Sequence, residues 1–168
     1  MAAPKLHLSG IIEESIVDGP GIRFVIFTQG CPHFCPGCQN PETQPFSGGY
    51  YCNVEKIFIN FQKNPLLSGI TFSGGEPFIQ ACALVALAKM VNKIGKTVVT
   101  YTGYTFERLL EMSVHNQAIK NLLNYTDLLI DGPFLLSYKN SDLLFRGSSN
   151  QRLLDRKCRS KIEQKLYS

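Results

Sequence analysis

No apolar run in this chain approaches the roughly 20 residues that a membrane-crossing helix needs, which excludes a helical membrane protein. The opening stretch, Met1-Ala2-Ala3-Pro4-Lys5-Leu6-His7, has neither the basic segment and apolar core of a secretory leader nor the arginine and serine of a transit peptide. A cytoplasmic setting is therefore expected. Internal repeats and low-complexity segments are also missing, and the excess of positive charge is small. At +4 it gives no argument for nucleic acid as a partner. Cysteine is scarce too, six in 168 residues, and in a thiol-reducing compartment those six do not suggest a disulfide framework.

What is present describes an ordinary globular chain. A length of 168 residues suits one domain, 1–168, able to bury about 70% of its unfolded surface. The 44% hydrophobic and 18% charged content agrees. Ile22-Arg23-Phe24-Val25-Ile26-Phe27-Thr28 is β-branched and aromatic and reads as a strand. From Gly30 to about Gly49 four prolines forbid regular structure. Asn53 can cap a helix over Val54 to Gln62, and Ser68 to Phe72 looks like a buried strand entering a glycine turn. A helix from about Ile79 to Asn92 closed by Gly95, a strand at Thr97 to Tyr101, a helical pattern from Thr105 to about Asn124 and a strand at Leu128 to Asp131 complete the pattern.

Strand alternating with helix means parallel strands joined by right-handed crossovers. About four strands are too few to close an eight-stranded barrel, so the expected fold is α/β, a partial (β/α) barrel or an open, curved, mostly parallel sheet. In such sheets chemistry gathers at the carboxyl ends of the strands. The unusual sequences stand there: the cysteine loop, then Ser73-Gly74-Gly75-Glu76-Pro77, then Thr102-Gly103-Tyr104, then Asp131-Gly132-Pro133.

Cys31, Cys35 and Cys38 form C-x3-C-x2-C, three thiolates on one short loop, a ligand type that iron–sulfur clusters and zinc both favour. A structural zinc site normally draws four ligands from two separated pairs, and no second C-x2-C or H-x3-H lies downstream. Three thiolates on a cubane cluster leave one iron open for a substrate. Cys82, on an apolar helical stretch, reads as a small core residue, and Cys52 and Cys158 have no ligand spacing.

With the cysteine triad, Ser73-Gly74-Gly75-Glu76-Pro77 makes the chain resemble the radical S-adenosylmethionine (SAM) superfamily, and Val17-Asp18-Gly19-Pro20-Gly21-Ile22-Arg23-Phe24 resembles its glycyl-radical activases. Cys35-Pro36-Gly37-Cys38, Asp131-Gly132-Pro133-Phe134 and Arg146-Gly147-Ser148-Ser149-Asn150-Gln151-Arg152 look like the activases that serve anaerobic ribonucleoside-triphosphate reductase. Gly37, where an aromatic residue is usual, fits that branch. The resemblance implies a [4Fe-4S] cluster on Cys31, Cys35 and Cys38 as the catalytic and metal-binding set. It also implies SAM chelated to the open iron and cleaved by one electron to a 5′-deoxyadenosyl radical. Gly74, Gly75, Glu76 and Asp131 become the SAM-binding candidates, the carboxylates as acceptors for its ammonium; lysine often stands two residues after the last of these in the superfamily, where this chain has Pro133. The implied partners are the large subunit of the reductase, which would acquire a glycyl radical, and an electron donor such as a flavodoxin.

Plainer readings stand beside these. Gly74-Gly75-Glu76-Pro77 and Asp18-Gly19-Pro20-Gly21 are plausible turns, Asp131 a turn cap, and Ser148-Ser149-Asn150 a helix cap. His33 reads as a loop side chain, and His7 and His115 as surface residues. Arg146, Arg152, Arg156, Lys157, Arg159, Lys161 and Lys165 form a basic C-terminal segment, either a solvated, frayed terminus or a docking surface for an acidic partner. Rival functions are another small radical SAM enzyme, or a module in which the three cysteines with His33 or Cys52 hold zinc.

Overall fold

A computed structural model describes residues 3–168, so Met1 and Ala2, the start of the stretch read for a leader, lie outside the described residues. Its centre is one seven-stranded sheet in the order β3-β1-β2-β4-β5-β6-β7. Four strands, β2 (Arg23–Thr28), β4 (Gly69–Gly74), β5 (Thr97–Tyr101) and β6 (Leu128–Asp131), run parallel. These are the strands expected from the sequence. With β3 and β7 at its two edges the sheet is open, not a closed barrel.

The three further strands were not expected. β1 (Lys5–Ser15) and β3 (Tyr50–Asn53) extend one edge as an antiparallel pair, and β7 (Arg152–Asp155) pairs antiparallel with β6 at the other. β1 carries Gly10 and two breaks of register against β2, and only Leu6, Leu8 and Ser15 are buried along its length. A strand so weakly alternating has little period-2 signal. β7 has four residues and exists by pairing with β6.

Helices α1 (Val54–Gln62), α2 (Ala81–Lys93), α3 (Phe106–Ser113) and α4 (Gln117–Tyr125) supply the crossovers. The Asn53 side chain caps α1 by accepting from Glu55 N–H, as expected. The helical pattern read as continuous from Thr105 to Asn124 is two helices, because the Asn116 side chain accepts from Ala118 and Ile119 N–H and begins a new one. Phe24, Ile26, Ile70, Phe72 and Val98 share one face of the sheet and pack against Leu84, Leu87 and Val91 of α2 and Leu122 of α4. Cys82 is exposed on α2 rather than part of that core.

The C-terminal segment is not frayed. Asp155 caps α5 (Arg156–Tyr167) by accepting from Cys158 N–H. Arg159 turns inward, where burial lowers it to about 10 and it donates to the carbonyls of Leu123 and Thr126. Arg156 pairs with Asp127, and Arg152 with Asp131 and Glu107. Three of the seven cations in the stretch, Arg152, Arg156 and Arg159, are thus spent within the fold.

Candidate active site

The carboxyl ends of β2, β4, β5 and β6 open onto a cavity of about 510 Å³. That is ample for a nucleoside-sized ligand, since small-molecule sites commonly run from about 300 to 1,000 Å³. Cys31, Cys35 and Cys38 all line it, as do Gly74 and Gly75. Cys52, Cys82 and Cys158 do not.

The cysteine loop keeps its shape without regular structure through backbone bonds to its own far side. Gly30 N–H donates to the Thr43 carbonyl at 2.7 Å and Cys31 N–H to that of Gln44 at 2.9 Å. The Gln29 amide donates to the carbonyls of Glu42 and Pro45. Cys38 N–H closes a turn onto the Cys35 carbonyl. At the centre of that turn Gly37 has φ +73°, and a Cβ there would meet Leu136 at 2.8 Å. An aromatic residue would be both strained and obstructed, which explains the glycine.

The glycine turn is drawn against the same loop. Glu76 N–H donates to the Gly30 carbonyl at 2.9 Å and Gly75 N–H to that of Thr28 at 2.8 Å; a Cβ on Gly75 would fall 2.2 Å from the Gly30 oxygen. Only glycine lets the two backbones come this close.

Glu76 and Asp131 do not line the cavity; both are buried behind its wall, and their carboxylates are committed to the protein. Glu76, wholly buried, accepts from Phe78 N–H, Gly103 N–H, the Thr102 hydroxyl and His33 Nε2, the last at 2.7 Å. Those contacts fill the acceptor capacity of a carboxylate. Asp131, also buried, accepts from Phe106 N–H at 2.7 Å and from Arg152. His33, read as a plain loop side chain, therefore ties the cysteine loop to β4 and β5. It also lies edge-on to Tyr104. Long-range pairing of this kind has no sequence signal, because the partners stand 26 to 43 positions apart.

Asp18 lines the cavity as well, and its carbonyl accepts from the Thr71 hydroxyl at 2.8 Å, which lays residues 16–21 across the second face of the sheet. Tyr101 donates to the Phe145 carbonyl at 2.7 Å, fastening the opposite wall. Burial first, with Asp18 adding to it, pushes the Tyr101 phenol far up, so it stays a donor. Ser148 and Asn150, read as a helix cap, instead serve that wall. The Ser148 hydroxyl accepts from Leu135 N–H, and the Asn150 amide donates to the Pro133 carbonyl.

The donors fit a cluster better than a single ion. Among the described residues no three His, Cys, Asp or Glu side chains are gathered closely enough for one metal ion. The fourth ligands that a zinc site would need are also taken or distant, His33 by Glu76 and Cys52 by its place on β3. Burial, reinforced by Glu76 and Cys35, pushes the Cys31 thiol up, although His33 and Phe34 N–H pull against it. A buried thiol of this kind ligates once its proton is displaced by the incoming centre.

Comparison with known proteins agrees with this donor set. A family described as a 4Fe-4S single cluster domain matches residues 17–154. The anaerobic ribonucleoside-triphosphate reductase-activating protein of Escherichia coli (strain K12) is 34% identical over 149 residues, covering 81% of this chain and 90% of that protein. The protein of the same name from Enterobacteria phage T4 is 32% identical over 144 residues, covering 82% and 86%. Among solved structures, QueE from Escherichia coli overlaps 60% of this chain and 54% of its own, with a TM-score of 0.45 and 19% identity. Among the described residues no helix is long and apolar enough to cross a membrane.

Proposed function

The chain belongs to the anaerobic ribonucleoside-triphosphate reductase-activating proteins, radical SAM enzymes of the glycyl-radical activase kind, and from that premise we propose which of its groups do what. When bound, the [4Fe-4S] cluster supplies the electron that cleaves SAM to methionine and a 5′-deoxyadenosyl group able to take a hydrogen atom from a glycine. The target glycine lies on the large subunit of the anaerobic reductase. Cys31, Cys35 and Cys38 hold the cluster as thiolates, releasing their protons when they ligate. Gly74 and Gly75 present backbone to the methionine end of SAM. Glu76 ties the end of that turn to Gly103 and His33, while Asp131 holds Phe106 N–H and Arg152 at the end of β6.

The observation that carries this reading is that all three cysteines and the glycine turn line one cavity at the carboxyl ends of the parallel strands. The mouth of the cavity supports a protein substrate. Ile16, Val17 and Leu144 line it and each is more than two-thirds exposed, a surface suited to a partner's loop. Residues 1–168 act as one radical SAM domain, in the cytoplasm, with a small donor such as a flavodoxin delivering the electron.

The test is anaerobic reconstitution with iron and sulfide, reduction with SAM present, and electron paramagnetic resonance on the added large subunit. A glycine-centred signal on the partner, absent when the partner's glycine is replaced, is expected. SAM cleavage with turnover of a small molecule and no partner signal would instead favour another small radical SAM enzyme.

A further inference from the structure

The ring of His33 is seated in a socket built from the residues that follow β4 and β5. Its Nε2 donates to the Glu76 carboxylate at 2.7 Å, its face meets the edge of the Tyr104 ring with centroids 4.5 Å apart, and only 17% of the side chain is exposed. A Cβ on Gly103 would fall 2.4 Å from His33 Cδ2, so glycine at that position leaves the ring its room. The next residue is held quite differently. Phe34 has φ +48°, a left-handed backbone that a bulky side chain seldom adopts, and its own ring is 61% exposed. Such a conformation persists only where its surroundings over-determine it. An exposed ring does not supply that constraint. The fixed points on either side do: the His33 socket before Phe34, and after it the turn that Cys38 N–H closes on the Cys35 carbonyl.

The left-handed turn faces a cluster ligand. The backbone N–H groups of His33 and Phe34 are both directed at the Cys31 sulfur. Successive N–H groups beside a left-handed residue form a concavity that holds an anion, an arrangement found at many iron–sulfur sites. Hydrogen bonds to the sulfurs of a cluster tune its reduction potential. Donors favour the more negative, reduced form and therefore raise the potential. With Nε2 given to Glu76, the His33 ring acts on the sulfur through the backbone that it anchors.

We propose that His33 is a positioning residue whose ring, anchored on Glu76, holds the Phe34 turn so that two N–H groups meet the Cys31 sulfur and raise the reduction potential of the cluster. The inference rests on the reading of the three cysteines as cluster ligands. The test is an anaerobic redox titration without SAM, followed by electron paramagnetic resonance of the reduced cluster, on cluster-loaded wild-type protein, His33→Ala, His33→Gln and His33→Phe. His33→Ala is expected to disfavour reduction about tenfold, a fall of about 59 mV for a one-electron couple, at unchanged iron and sulfide content. His33→Gln, whose amide can still donate to Glu76, should recover most of that fall. His33→Phe, which keeps a ring beside Tyr104 and loses the donor, should not. Should His33→Ala fail to retain its cluster, the difference between His33→Gln and His33→Phe gives the same decision. Wild-type potentials in His33→Ala and His33→Phe, or an equal fall in His33→Gln and His33→Phe, overturn the proposal. If the reconstituted wild-type protein takes up no four-iron cluster, the reading of the site itself fails and this inference with it.

Discussion

The two ends of the parallel strands deal with an arginine in opposite ways. At the amino-terminal end Arg23 is 1% exposed and has no acid partner, yet every part of its guanidinium is used. Nε donates to the Thr71 hydroxyl, Nη1 to that of Thr97, and Nη2 to the carbonyls of Ile70 and Thr97. Burial lowers it to about 10, so it remains a cation at neutral pH, dispersed over neutral acceptors. At the carboxyl-terminal end Arg146 has one acceptor and otherwise lines the cavity. Among the described residues both arginines lack a salt bridge, and the count of acceptors is what separates them. The same accounting separates the buried carboxylates of Glu76 and Asp131, hydrogen-bonded within the protein, from the three thiols that line the cavity.

That contrast breaks most sharply at the cysteines. Cys31→Ala, Cys35→Ala and Cys38→Ala should each reduce bound iron and sulfide to background and abolish SAM cleavage, while costing the apoprotein no more than about 1 kcal/mol. Cys52→Ala, Cys82→Ala and Cys158→Ala should keep both cluster and cleavage. A full cluster in Cys35→Ala would falsify the ligand assignment.

The reverse is expected at the other end. Arg23→Met strands the neutral acceptors of Thr71, Thr97 and Ile70, and should cost roughly 3 kcal/mol of unfolding free energy, the upper end of what buried unsatisfied polar groups cost. Denaturant titration measures it, and SAM cleavage per folded molecule should survive. A variant as stable as wild type would show that the neutral acceptors do not need the cation.

Glu76→Gln lies between the two. One half of the new amide is a donor and meets the N–H groups of Phe78 and Gly103 or the Thr102 hydroxyl, a clash worth about 1–3 kcal/mol. Stability and SAM affinity should fall together, because the carboxylate holds the turn that presents Gly74 and Gly75. Weaker SAM binding at unchanged stability would instead mark Glu76 as a direct contact.

The smallest effect concerns acid. The hydrogen bond from Arg152 holds the Glu107 carboxyl below its ordinary value of 4.5. A depressed carboxylate contributes stability that is complete above that ordinary value and is lost as pH falls through the lowered one. With 36% and 39% of the two side chains exposed, the contribution stays under about 1 kcal/mol. Between neutral pH and the acid side of 4.5, the melting temperature of wild type should therefore drop slightly more than that of Glu107→Gln; equal slopes would remove the pair from the account.

The parallel core of the fold and the gathering of the cysteine loop and glycine turn at one cavity are legible in the amino-acid sequence. The four parallel strands announce themselves by β-branched runs ending in glycine, because buried parallel strands must be apolar on both faces. The cysteine loop and the glycine turn are legible because their chemistry is carried by neighbours within a few positions. β1 and β7 are not, since each owes its existence to a neighbouring strand. Cys82 misleads for a related reason. Its helix is apolar, but the phase of the helix turns that one position outward.

The sequence by itself determined the spacing of Cys31, Cys35 and Cys38, the small residues at Gly74 and Gly75, and the alternation of strand and helix that places them at one end of a parallel sheet. These are local properties, set by the reach of a short loop and by the absence of a side chain. Tertiary structure alone decided which charges are spent. It turned Glu76 toward His33, Thr102 and Gly103, gave Asp131 to Arg152, and left Arg146 on the cavity wall with most of its donors free. A charge in a folded protein is settled by whichever acceptors the packing brings within about 3 Å, and those acceptors lie on other strands, out of sight of the residue's own neighbours in the chain.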